Sequence, residues 1–187
     1  YGETGLIYNV TEEEFSKLES INDKYALCIG KIVAEFQIHY LAKHFNYNYS
    51  IARCFSFAGE FMPLSIHYAF GNFIRDALNG KDIIISGSGT AMRSYMYIGD
   101  AIIWFCALLT DPKNKIFNVG SDYAISISEL AELIGNKSGC KVLTLPKKTT
   151  EGNFVRSTYI PSLKKIQTHY PKLKIWTGLS DIIDRML

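Results

Sequence analysis

The sequence predicts an α/β fold, and three observations carry that reading. Apolar residues recur at Ala26, Ile29, Val33, Phe36, Tyr40 and Leu41, mostly three or four apart, which is the helix period. This stretch is followed by Tyr49-Ser50-Ile51-Ala52-Arg53-Cys54-Phe55, which reads as a buried strand, and a helix leading into a strand favours a parallel sheet. Ile83-Ile84-Ile85 and Ile116-Phe117-Asn118-Val119 are further short apolar runs between helical segments. At 187 residues and 48% hydrophobic, the chain has the material for the core of one or two domains.

Each element has its own signal. Residues 1–22 are polar and acidic, with Thr11-Glu12-Glu13-Glu14 as a capping signal for a short helix. The long helix opens near Asp23, a good N-cap residue, and ends near Asn46-Tyr47-Asn48. Gly59 and Pro63 mark a loop after the first strand, and a helix from about Ile66 to Asn79 closes at Gly80. Asp82 to Ile85 is a strand, Gly87-Ser88-Gly89-Thr90 a turn, Ser94 to Tyr97 a second strand and Gly99 to Leu109 a helix. After the strand at 116–119, Ser126 or Ser128 caps a helix through about Ile134, and Lys141 to Leu145 is a strand. Lys147 to Ser157 is a polar loop, and two short helices near 162–169 and 180–187 complete the chain. No internal repeat stands out.

Composition excludes several classes. A net charge of +2 gives no electrostatic argument for nucleic acid or a membrane surface. The run Ile102-Ile103-Trp104-Phe105 is too short to span a bilayer. Cys28, Cys54, Cys106 and Cys140 are widely spaced, so neither a metal site nor a disulfide framework is expected, and a reducing cytoplasm fits best. Cys28, Cys54 and Cys106 lie in apolar runs and read as core residues. His39, His44, His67 and His169 form no metal pattern; His39 and His44 read as solvated, and His67 lies near the loop where a substrate contact is conceivable. The Gly87-Ser88-Gly89 turn mimics a phosphate-binding fingerprint, but Met92 stands at the third glycine position and a strand follows, so no helix N-terminus meets a phosphate there.

Six stretches lie in an ordered series: Tyr1-Gly2, Gly30-Lys31 with Ala34-Glu35, Arg53-Cys54-Phe55-Ser56-Phe57-Ala58-Gly59, Gly71-Asn72-Phe73-Ile74, Arg93-Ser94-Tyr95-Met96-Tyr97 with Asp100, and Asn118-Val119-Gly120-Ser121. In that order and spacing they resemble the extended short-chain dehydrogenase/reductase family of sugar-nucleotide epimerases and dehydratases. The resemblance runs along nearly the whole chain. It implies the back half of a Rossmann-type parallel sheet plus a small α/β substrate-binding domain. Residues 1–57 would be the remainder of the dinucleotide-binding domain with its catalytic helix, and 58–187 mainly the substrate domain, with the strand near 116–120 returning to the sheet.

The resemblance also implies a site. Lys31 and Tyr25 would be the catalytic pair beside a bound nicotinamide, with Phe55 lining the cofactor. A tyrosine and a lysine at the start of a helix suit acid–base work, because a nearby ammonium lowers a phenol's pKa. Ser56, Asn72, Arg93 and Arg156 would contact the nucleotide sugar: Asn72 at a helix opening and Arg93 through a guanidinium that grips phosphate oxygens in pairs. Read without the resemblance, Lys31 is a solvated helix lysine, Phe55 and Ser56 are core residues, the arginines are solvated and Asp100 is a structural N-cap.

Two departures qualify the implication. The family's tyrosine and lysine are four apart, whereas Tyr25 and Lys31 are six apart, and Leu27 holds the fourth position before Lys31. Either Tyr25 reaches the site from a distorted first turn, or the acid–base tyrosine is absent. The chain also begins with Tyr1, where the family's fifth strand ends, so a fragment or a processed product is expected, without the main NAD-binding motif. The function implied is that of an NAD-dependent sugar-nucleotide epimerase or dehydratase of bacterial surface-polysaccharide synthesis, with a homodimer through the face near Ile32, Phe36 and Tyr40. The alternative is a catalytically silent nucleotide-sugar-binding or assembly module.

Overall fold

The computed structural model describes residues 9–14, 25–65, 68–145 and 158–187. The first helix, α1, spans Ala26–Phe45 with Tyr25 at its N-cap. It starts later than the periodicity implies; Asp23 lies outside the described residues. Its C-cap, Asn46, takes the left-handed conformation, at φ 53°, that asparagine tolerates, and the Asn46 N–H reaches the Ala42 carbonyl. Lys43 and His44 complement the negative end of the helix dipole. Strand β1, Ser50–Cys54, then pairs in parallel with β6, Lys115–Val119, in the register Arg53 to Asn118 and Cys54 to Val119.

Between those strands lie β2 (Phe57–Ala58), α2 (Ala69–Leu78), β3 (Ile83–Ser86), β4 (Met92–Arg93), β5 (Met96–Tyr97) and α3 (Ile98–Thr110). Beyond β6 come β7 (Ile125–Ser126), α4 (Ile127–Ser138), β8 (Val142–Leu145), β9 (Thr158–Tyr159), α5 (Lys164–His169) and α6 (Leu179–Met186). Parallel pairs join β2 to β5 and β3 to β8, and a mixed sheet has the order β7-β4-β9. The chain is a mixed α/β protein with parallel sheet pairs. The Ser94–Tyr97 stretch is not one strand. Buried Ser94 and half-buried Tyr95 carry it from one sheet to another: Tyr95 packs on Phe70 at 4.9 Å, while Met96 enters a different core.

Among the described residues two hydrophobic clusters form the core. One gathers Phe70 and Ile74 of α2, Ile83 of β3, Leu130 and Ile134 of α4, and Ile182 and Ile183 of α6, all fully buried. The other joins Met96, Trp104 of α3, Phe117 and Val119 of β6, and Ile166 of α5. Helix α4 has the capping box its sequence announces: Ser126 Oγ accepts from the Glu129 N–H, and the Glu129 carboxylate accepts from the Ser126 N–H. The acidic Thr11–Glu14 stretch forms a turn, with the Glu14 N–H on the Thr11 carbonyl at 3.3 Å.

Helix α1 differs from the others. Its apolar residues point several ways, and only Ala42 is buried; Leu27, Phe36, Tyr40 and Phe45 are 60–76% exposed. The cysteine reading is corrected on the same ground: Cys54 and Cys106 are exposed and Cys28 and Cys140 half-buried, because the apolar runs that hold them are not covered on their outer side by the described residues. His39 is exposed as expected, and its Nδ1 lies 2.8 Å from the Tyr49 hydroxyl.

Candidate functional site at the carboxyl ends of β1 and β6

In open α/β sheets ligands bind beyond the carboxyl ends of the strands. Here that edge is formed by Phe55 and Ser56 after β1 and by Gly120 and Ser121 after β6. The Phe55 N–H donates to the Val119 carbonyl at 2.9 Å, continuing the ladder one residue past the strand. The Phe55 ring is buried and stacks on Tyr159 with centroids 4.5 Å apart, and Tyr159 pairs with Arg93 across β9 and β4. Phe55, Tyr159 and Arg93 are thus a continuous wall. Gly120 makes that approach possible: a Cβ there would come within 2.8 Å of the Phe55 Cβ.

Lys31 is exposed on α1. Its ammonium acts on the Cys54 thiol: although the residue is exposed, the protein packed around its sulfur removes part of its water and pushes the pKa up, and Lys31 opposes the rise. One helical turn from Lys31, Glu35 belongs to a polar network. Arg53 donates Nε and Nη2 to the two Glu35 oxygens at 2.7 and 2.8 Å, and Nη1 to the Glu12 carbonyl at 2.8 Å. The side chains of Arg53 and Glu35 are only 10% and 17% exposed. The buried Glu12 carboxylate accepts the Asn118 N–H at 2.8 Å, and Asn118 Nδ2 donates to the Val10 carbonyl at 2.7 Å. Phenol chemistry at Tyr95 is suppressed: burial pushes its pKa up to about 12 against the pull of Arg93.

The remaining sequence candidates fall as follows. Tyr25 is buried at the N-cap of α1, 5% exposed, and no hydrogen bond among the described residues joins it to Lys31. Leu27, at the fourth position before Lys31, is 76% exposed. Ser56 is half-buried, and its carbonyl accepts the Met96 N–H. Asn72 does not open its helix. It sits one turn into α2, where its N–H already serves the Tyr68 carbonyl, so only its side chain is left for a ligand, and its Oδ1 accepts from Arg75. Arg93 is half-buried with Nη1 on the Met92 carbonyl. Arg156 and His67 lie outside the described residues. Asp100 is structural, but not as an N-cap; its carboxylate lies in the first turn of α3 and receives the N–H groups of Trp176 and Thr177.

Among the described residues no group of three or more His, Cys, Asp or Glu is placed to hold a metal, and no helix is long and apolar enough to cross a membrane. The Gly87-Ser88-Gly89 turn is a structural turn. Gly89, at φ 68°, lies so close to Ser128 Oγ that no Cβ fits, and its carbonyl accepts the Ser128 N–H at 3.0 Å. Sequence reasoning missed Glu12 and Tyr159. Their partners lie about a hundred residues away, and no local signal marks them.

Residues 1–120 match the model of the NAD dependent epimerase/dehydratase family. The chain belongs to this family. Among curated epimerase/dehydratase relatives it is 27% identical over 128 residues to UDP-glucuronic acid decarboxylase 1 of Xenopus tropicalis, covering 68% of this chain and 30% of that one. It is 26% identical over 153 residues to dTDP-4-dehydro-6-deoxyglucose reductase of Escherichia coli, covering 74% and 45%. Among solved structures, UDP-glucose 4-epimerase of Thermotoga maritima matches with a TM-score of 0.79 at 18% identity, over 99% of this chain and 58% of that one. UDP-glucuronic acid 4-epimerase of Bacillus cereus, in complex with UDP-glucuronic acid and NAD, matches with a TM-score of 0.76 at 23% identity, over 99% and 57%. The chain therefore spans less than two thirds of these family members.

Proposed function

We propose that this chain serves the catalytic-helix and sugar-nucleotide end of an NAD-dependent epimerase/dehydratase, in the synthesis of sugars for bacterial surface polysaccharides. The observation that carries the reading is Lys31, exposed on α1 and near enough to the Cys54 thiol at the end of β1 to act on it, in a chain of this family. NAD, when bound in such enzymes, accepts hydride from a sugar carbon. The described residues suit its nicotinamide end alone: Lys31 is exposed at the strand edge, whereas the one glycine turn with a fingerprint-like spacing packs on Ser128. In this reading Lys31 holds the nicotinamide ribose, Phe55 backs the cofactor side, and Ser56, Asn72, Arg93 and Arg156 take the nucleotide sugar. Tyr25 would move the proton, from its place at the foot of α1. The face at half-buried Ile32 and exposed Phe36 and Tyr40 is our candidate for pairing with a second copy, supported by Phe36 at 69% and Tyr40 at 60% exposure.

A second reading has its own observation. Leu27 has no proton to give and Tyr25 is buried, which favours a module that binds a nucleotide sugar without turning it over. One experiment separates the two. The protein is given NAD and a panel of UDP- and dTDP-sugars while absorbance is followed at the NADH band, with binding measured in parallel by calorimetry. The enzyme reading expects an NADH signal that Lys31→Met abolishes and Tyr25→Phe reduces by about 100-fold or more, the scale of a lost general acid–base. Tight sugar-nucleotide binding with a flat NADH trace overturns it in favour of the binding module.

A further inference from the structure

We infer that Glu35 and Arg53 are positioning residues for Lys31, a clamp that sets where its ammonium stands near the end of β1. Lys31 and Glu35 are four apart on α1, about 40° from each other around the helix. They share one face, and that face meets the strand end. Arg53 reaches Glu35 through both of its forked nitrogens and, with its third, the Glu12 carbonyl. Glu12 in turn receives the N–H of Asn118, the β6 partner of Arg53. The helix is thereby tied to both parallel strands and to the Val10–Glu12 segment at one point, a single turn from Lys31. Ala42 is the one buried residue of α1, and among the described residues the other side-chain tie from the helix to the β1 side is His39 on the Tyr49 hydroxyl, further along the helix. A bidentate pair fixes direction as well as distance, which a lysine in place of Arg53 would not.

The inference rests on the reading of Lys31 as a working residue, but its test does not. Cys54 adjoins Arg53, is exposed, and among the described residues the charge acting on its thiol is Lys31. A variant keeping only Cys54 is alkylated with iodoacetamide across pH, giving a rate profile for that thiol. Lys31→Met should move the profile upward by a few tenths of a pH unit, about two- to three-fold in thiolate below the pKa, the scale for a nearby solvated charge. Arg53→Lys keeps the charge count and should move it in the same direction, with no further movement in the double variant.

Glu35→Gln gives an independent sign. Removing a carboxylate should by itself favour the thiolate, so an upward movement means that Lys31 has been displaced. Circular dichroism checks that each variant is folded; if Arg53→Lys is not, Glu35→Gln decides. A profile that stays in place in Arg53→Lys while the melting temperature falls reduces the pair to a structural tie and overturns the inference. No movement in Lys31→Met overturns it as well. If the profiles move as expected while the NADH experiment stays flat, the clamp stands and catalysis does not.

Discussion

Asp100 offers a graded test of how the carboxyl-terminal segment is held. Its side chain is 4% exposed, one oxygen accepts the N–H groups of Trp176 and Thr177 at 2.9 Å each, and the other meets the Thr177 hydroxyl at 3.3 Å. Truncation by Asp100→Ala orphans all three donors. Hydrogen bonds to a charged acceptor contribute about 1.5–3 kcal/mol each, but Trp176 is 52% exposed and water can reach part of the set, so the loss should be about 2–4 kcal/mol. Asp100→Asn keeps the shape: its amide oxygen can take both N–H groups and its amide nitrogen can face the hydroxyl. Only the charge assistance goes, at about 1 kcal/mol. Urea unfolding followed by the fluorescence of the two tryptophans reads this directly, because Trp104 is buried and donates to the Lys174 carbonyl while Trp176 lies on the anchored segment. With a slope of about 2 kcal/mol per molar urea, the midpoint should fall by about 1–2 M for alanine and about 0.5 M for asparagine. An alanine variant within about 0.5 kcal/mol of the parent, or an asparagine variant as damaged as alanine, would refute the reasoning.

Two further outcomes follow from the same geometry. Ser126→Ala removes one half of the α4 capping box and should cost about 1 kcal/mol in the same urea assay, with Glu129→Ala in the double variant adding less than its single effect. Tyr95 has a folded pKa raised to about 12, so below pH 10 its phenol is neutral in both states and its contribution is complete. Between pH 10 and about 12 the unfolded chain ionises first, and stability is lost as pH rises. Tyr95→Phe should flatten that part of the alkaline stability profile, measured by thermal melts from pH 9 to 12.

Much was legible because its physics is local. The capping box needs Ser126 and Glu129 three residues apart, and the left-handed turns need Gly80, Gly87 and Gly89 where they stand. The buried runs of β1, β3 and β6 announce strands, and helix before strand announces the parallel pairing. Six spaced motifs led to the family. The run at 94–97 reads as one strand because its apolar pattern carries no mark of which core each side chain enters. Asn72 lies one turn inside α2, which starts at Ala69, so the expectation of a helix opening there fails.

The sequence by itself determined the α/β class, the order of the longer helices and strands, the family and the residues offered as chemistry. Only the tertiary structure decided which of those residues meet. The clamp of Glu35 and Arg53 spans 18 positions, Glu12 finds Asn118 across 106, and Asp100 finds Thr177 across 77. Those pairings depend on strand register and on which way the chain crosses between sheets, quantities that no window along the sequence contains. Exposure was decided there too: Cys54 and Phe36 sit in apolar patterns indistinguishable from a core, and whether such a pattern is buried depends on what lies over it.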